Sequence, residues 1–170
     1  MSVDGVDFQI EEPWPYKRDV SGQWYSQKFN GPGLRYMICI SLKKGDICFV
    51  DGPHPCGQKN DLQIFEQSVL PLLEDYERVE ADSGYSKHDP EFVKSPEGNY
   101  VRSRESARLS NRARARQEGI NKKVKQWYCM KGKYRHNLLD HSKLFYAVIV
   151  LTQLAIDEGE RLFPITYFNS

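Results

Sequence analysis

The 170-residue chain predicts an α/β domain in which helices flank a mixed sheet, an antiparallel hairpin plus a parallel strand. Three observations carry this. Leu34–Leu42 and Ile47–Val50 are apolar runs joined by Lys43-Lys44-Gly45-Asp46, a hairpin with glycine where a positive φ is expected. A helical pattern from Asn60 or Asp61 to about Tyr76 then leads into a short strand, Arg78–Asp82, and a strand–helix–strand order implies a right-handed parallel crossover. Two further helical patterns, a basic one over 101–128 and an apolar one over Asp140–Glu158, supply cover for the sheet.

Taken in order, Val3–Ile10 is the first strand. Residues 11–33 are rich in Pro, Gly and aromatic rings and read as an ordered surface excursion. Within it Trp14, Trp24 and Tyr25 are expected to pack onto the body, the alternative being stacking on unpaired bases. The first helix has Asn60 or Asp61 as its cap and Leu62, Phe65, Val69 and Leu72/Leu73 as its buried face. Residues 83–100, with Pro90, Pro96 and Gly98, read as a loop. In the basic helix Ile120, Val124 and Trp127 recur at i, i+4 and i+7 and form a core face. The last helix places Leu144, Val148, Leu151 and Ala155 on one stripe, with Gly159 as a C-cap. Its apolar stretch, Leu144–Ile156, reads as a buried helix too short to span a bilayer, so no membrane is expected.

Composition places the chain among soluble single domains: 39% hydrophobic and 28% charged residues, net charge +1. That small net charge hides an asymmetry. Residues 101–128 carry nine Lys and Arg against Glu105 and Glu118, leaving the rest of the chain acidic. A basic block on an acidic body suggests a polyanionic partner. Cys39, Cys48, Cys56 and Cys129 form no C-x-x-C pair; Cys39 and Cys48 read as reduced, buried small hydrophobes. With no signal-peptide pattern at Met-Ser-Val-Asp, an intracellular protein is expected.

The chemistry-bearing pattern is acidic. Asp4 opens an apolar strand, Asp82 closes another, and Glu118 sits in the basic helix. On a helical wheel Glu118 points away from Ile120, Val124 and Trp127, outward among Arg114, Lys122 and Lys125. Hard divalent cations take oxygen ligands, and carboxylates converging from separate elements can hold them. Three carboxylates roughly match the charge of two Mg²⁺ or Mn²⁺ ions of a phosphodiester-cleaving site. The plainer alternative is a turn residue, a cap, and a Glu118–Lys122 surface pair. Arg104, Arg108, Arg112 and Arg116 recur every fourth residue and could line a DNA backbone with Arg114, Lys122 and Lys125. His54 reads as a loop histidine, and Cys56, Cys129, His136 and His141 lack any zinc-finger spacing.

Several segments in order resemble one family. Asp4-Gly-Val-Asp7 is similar to the opening motif of the Harbinger-type DDE superfamily endonucleases and transposases. Lys28-Phe-Asn-Gly-Pro-Gly-Leu-Arg-Tyr36 resembles the family's entry to the second strand, and Gly52-Pro-His-Pro-Cys-Gly-Gln-Lys-Asn-Asp61 its glycine-rich loop. Ala81-Asp-Ser-Gly-Tyr85 resembles the motif of the second acid, and Arg116-Gln-Glu-Gly-Ile-Asn-Lys-Lys-Val-Lys-Gln-Trp127 the helix of the glutamate. Arg135-His136 and Leu144–Leu154 are similar to the family's closing region.

The resemblance implies a ribonuclease-H-like fold over about residues 2–160. It implies Asp4, Asp82 and Glu118 as catalytic metal ligands for two Mg²⁺ or Mn²⁺ ions, Asp61 as an accessory acid, and DNA as substrate. The family's N-terminal DNA-binding region has no counterpart before Asp4, so targeting is expected to fall to a separate DNA-binding domain or protein. A nuclear location is expected in a eukaryote. The alternative is a catalytically silent, domesticated or truncated derivative that binds DNA or protein. Oligomeric state is left open.

Overall fold

The computed structural model describes residues 1–11, 22–88, 93–94 and 104–160, giving backbone alone for 86–88, 93–94 and 104–106. Its centre is a mixed six-stranded sheet. Strand β1 (Ser2–Gln9) runs antiparallel to β3 (Gly31–Ile40), in register from Ser2 opposite Ile40 to Gln9 opposite Gly33. The short β2 (Tyr25–Ser26) pairs with the start of β3, and β4 (Ile47–Pro55) pairs antiparallel with the rest of it. On the other side of β1 lie β5 (Val79–Glu80) and then β6 (Val93–Lys94), both parallel. The expected hairpin is present, and Gly45 takes a φ of 86° in its turn.

Alternation along β1 and β3 divides two cores, as a period of two requires. Val6, Phe8 and Ile10 share one face with Leu34, Tyr36, Ile38 and Ile40. That face packs on α2 (Arg104–Gln126) and α4 (Leu138–Asp157), with the one-turn helix α3 (Tyr128–Lys131) between them in sequence. Val3, Met37 and Cys39 face the opposite way, onto Ile64, Phe65, Val69 and Tyr85.

Helix α1 (Asp61–Ile64) starts at a capping box, Asn60 Oδ1 accepting from the Gln63 amide at 2.8 Å and Gln63 Oε1 from the Asn60 amide at 2.9 Å. It continues as a π turn (Phe65–Val69) and a 3₁₀ turn that ends at Leu72, short of the expected Tyr76. Pro71 accounts for this, because it has no amide with which to extend the ladder. Leu72 is consequently exposed, whereas Ile64, outside the expected stripe, is buried. The parallel strand is also shorter than Arg78–Asp82, and β6 lies inside the expected 83–100 loop.

Helix α4 buries a different stripe from the expected one. His141, Phe145, Val148, Ile149, Thr152 and Ile156 face the sheet, whereas Leu151 is 44% exposed. Two polar groups are accommodated on the inner face. His141 Nδ1 shares a hydrogen bond with the Tyr36 hydroxyl at 2.8 Å, and Trp127 Nε1 donates to Thr152 Oγ1 at 3.3 Å. At 20 residues α4 is long and apolar enough to cross a membrane by length and composition, though its inner face is committed to the sheet. Two further expectations are corrected: Cys48 is exposed rather than buried, and Arg116 is buried rather than lining a surface row, donating from Nη1 to the Leu42 carbonyl at 2.8 Å. Trp24 packs partly buried against the core as expected, Tyr25 is exposed, and Trp14 lies outside the described residues.

Candidate active site

Sheet order builds the site. Ser2 of β1 pairs in parallel with Glu80 of β5, so Asp82, two residues on, is level with Asp4, two residues on in the other strand. β5 ends at Glu80, and Tyr134 joins the same edge of β1 only at Ile10. The stretch between is a gap in the sheet at the point where connections diverge to either side of β1. Such switch points are where open α/β sheets collect ligands.

Asp61 reaches this gap from the start of α1. Gly5 admits it: a Cβ at that position would collide with the Asp61 carboxylate. Arg35 steadies the arrangement, donating from Nε to Asp7 Oδ1 at 2.7 Å, from Nη2 to Asp7 Oδ2 at 2.9 Å, and from Nη1 to the Lys59 carbonyl at 3.1 Å. Asp61 Oδ1 lies 3.0 Å from the same Nε as an ion pair, yet this buried oxygen has no hydrogen bond. From the opposite side α2 delivers Asn121, whose Nδ2 donates to Asp4 Oδ2 at 2.7 Å and whose Oδ1 is buried without a hydrogen bond. One turn earlier Gln117 anchors the same helix by donating to the Ile38 carbonyl at 3.1 Å.

The electrostatics reflect crowded acids. Burial, with the neighbouring charges of Asp61 and Asp82, pushes Asp4 up to about 6 against the opposing pull of Lys28. Burial also raises Asp61, although Arg35 and Lys28 oppose the shift. Tyr85 is raised by its own burial and then by Asp61, Asp4 and Asp82 in turn, so one buried ring feels all three carboxylates. Asp7 behaves oppositely. Burial pushes it up, but its hydrogen bonds with Arg35 and Ser26 prevail and hold it below the usual carboxylate range. Lys28 donates to the Gly5 carbonyl at 3.3 Å, placing a cation over the group.

Asp4, Asp61 and Asp82 are thus brought to one end of the sheet. Glu118 is exposed as the wheel required, three residues before Asn121 and so about 4.5 Å back along the axis. It is not among the leading influences on Asp4. Among the described residues, no three His, Cys, Asp or Glu side chains close up into a metal cage. Of the expected backbone-binding cations, Arg108 and Lys122 are exposed, Arg112 is half-buried, and Arg114 donates to Asn111. Lys125 is half-buried with its ammonium 5.7 Å from the Phe8 ring centroid, and the Arg104 side chain lies outside the described residues. Sequence reasoning missed Arg35, Asn121 and Lys28. The register pair Asp7–Arg35 and the i+3 spacing of Glu118 and Asn121 were their only signals.

No protein-family model, curated protein or solved structure matches the chain.

Proposed function

We propose that the chain is a metal-dependent DNA nuclease domain of ribonuclease-H-like fold, with the chemistry of the DDE transposases. The observation that carries this is the level pair Asp4 and Asp82 on adjacent parallel strands, with Asp61 facing them across Gly5. The sheet order supports the fold: a central β1, an antiparallel meander on one side, two parallel strands on the other, and helices on both faces.

The donor set fits hard cations. Asp4, Asp61 and Asp82 supply carboxylate oxygens, and the buried Asp61 Oδ1 and Asn121 Oδ1 each lack a hydrogen-bond donor. Asp4, Asp82 and Glu118 would hold two Mg²⁺ or Mn²⁺ ions, with Asp61 accessory; because no three such side chains close up among the described residues, binding would require the aspartates to tighten as well as Glu118 to turn in. When bound, such ions lower the pKa of an attacking water and offset charge on the phosphate. The chain's own residues do the positioning. Asn121 fixes the Asp4 carboxylate, Arg35 fixes Asp61, and exposed Arg108 and Lys122 on α2 meet the DNA backbone.

A second reading is a catalytically silent derivative that binds DNA, favoured by the lack of a closed three-ligand group among the described residues. Nicking of supercoiled plasmid separates the two. Mg²⁺- or Mn²⁺-dependent nicking that Asp82→Asn lowers at least about 100-fold, a loss of roughly 2.7 kcal/mol of transition-state stabilisation, supports the nuclease. Undiminished nicking by Asp82→Asn contradicts it, and DNA binding without any nicking supports the silent derivative.

A further inference from the structure

Beyond the acids, the edge of β1 is met by the segment between α3 and α4. Tyr134 pairs in parallel with Ile10, its amide donating to the Gln9 carbonyl at 2.9 Å and its carbonyl accepting from the Glu11 amide at 2.7 Å. Upstream, Met130 of α3 is buried in the core. These two anchors fix the wall of a groove of about 850 Å³ that Leu144 of α4 completes.

The groove is cationic and aromatic. Lys131, Lys133, Arg135 and His136 line it, and no acidic side chain does among the described residues. Lys133 and Arg135 share one carboxylate, Glu11, at 2.8 Å and 3.9 Å, and Arg135 stays 74% exposed, so positive charge remains in excess. Such exposed pairs hold their partners weakly. The rings of Tyr134 and His136 pack edge to face at 5.4 Å. Tyr128 stands at the mouth with 95% of its surface exposed. An aromatic ring gains by being covered, and packing within the fold does not cover this one.

We infer that this groove binds a single nucleic-acid strand, its phosphates meeting Lys131, Lys133 and Arg135 and a base stacking on Tyr128. Cations beside a free ring suit an unpaired strand, because every base has a face to stack. A duplex keeps those faces inside and offers Tyr128 none, and an acidic peptide supplies the charge without the flat ring. Ile10 follows Asp4 by six residues, roughly 20 Å along an extended chain, so a strand held here reaches the acids along one sheet edge. The assignment shares the substrate class of the nuclease reading but requires neither metal nor cleavage.

Fluorescence anisotropy on the intact chain, with a chelator present, tests it. The probes are a labelled mixed-sequence single strand, as DNA and as RNA, the matching DNA duplex, and a polyglutamate peptide. At least one single strand is expected to bind about tenfold or more tighter than the duplex and the peptide. Tyr128→Ala is expected to weaken that binding about tenfold and Tyr128→Phe to retain it. Lys131→Gln is expected to lower the slope of log binding constant against log salt by about 0.7. Both positions are exposed, and unchanged circular dichroism confirms that the variants are folded. No single-strand binding, duplex binding as tight as single-strand binding, or affinity that Tyr128→Ala leaves unchanged overturns the inference. Polyglutamate binding as tightly as the strands overturns it in favour of an acidic protein partner. Because no metal is present, failure here leaves the nicking result standing, and loss of nicking leaves this one standing.

Discussion

At the scale of single residues, Asp4 and Asp7 sit three positions apart on one strand and titrate in opposite directions. Asp4 is raised to about 6 in the folded state, so between its unfolded value of 3.8 and 6 the native state binds the extra proton. Stability from this group is therefore full below 3.8 and is lost as pH rises through 6, by at most about 3 kcal/mol. Asp7 is depressed by Arg35, so its contribution is present above 3.8 and lost as pH falls through its lowered folded value. Asp4→Asn is expected to raise the melting temperature at pH 7–8 and to flatten the pH 4–6 slope, read by thermal unfolding across pH. A variant that melts lower at pH 8 than the wild type would show that Asp4 is not a crowded acid. Arg35→Ala leaves the buried Asp7 with the Ser26 hydroxyl but without its ion-pair partner and should cost about 3–5 kcal/mol in denaturant unfolding. Gly5→Ala is expected to displace the Asp61 carboxylate and weaken the response to Mn²⁺. The sequence picked out Asp4 as opening one strand and Asp82 as closing another, whereas the structure puts Asp4 inside β1 and Asp82 two residues past β5; their level placement comes from the parallel pairing of Ser2 with Glu80, which no local pattern shows. Asn121 and Lys28 were not legible, because an amide on a helix and a lysine in a loop become site residues only through tertiary approach.

At the scale of elements, local chemistry explains what was legible. The hairpin was readable because its turn carries Gly45, and the basic helix because Ile120 and Val124 repeat with its period. The end at Leu72 of the helical stretch that begins with α1 was written in Pro71, which the hydrophobic stripe overrode. β5 and β6 contribute two residues each, and their pairing partners are distant in sequence or lie in a Pro- and Gly-rich stretch, so no local pattern announces their length. The face of α4 was misjudged for a different reason. From Leu144 to Leu151 every residue is apolar or aromatic, so periodicity cannot choose a face, and the buried stripe includes polar His141 and Thr152. Helix α2 bears its own prediction. Arg108→Gln and Lys122→Gln should each lower the slope of log binding constant against log salt by up to about 0.9 if each meets one phosphate. Unchanged slopes would place the DNA elsewhere.

At the scale of the molecule, the sheet brings together acids that the chain keeps far apart, and the cost of their crowding is the argument for a cation. A ligand that binds only the folded state stabilises it by about 2.7 kcal/mol at a hundred times its dissociation constant. For a domain of this size that is a rise of roughly 5–10 °C in melting temperature. Mg²⁺ or Mn²⁺ should produce it above pH 7, and a chelator should reverse it. A fold of this order supports many chemistries, so the site and not the sheet decides the function.

The most direct measurement is a calorimetric titration of Mn²⁺ into the intact chain at pH 7.5, repeated with Asp4→Asn, Asp82→Asn and Glu118→Gln. Saturable binding is expected in the wild type, abolished or weakened at least about tenfold, near 1.4 kcal/mol, by each aspartate substitution and weakened by the glutamate one. Absence of saturable binding in the wild type, or binding that the two aspartate substitutions leave unchanged, would contradict the proposal that these carboxylates form a metal-dependent active site.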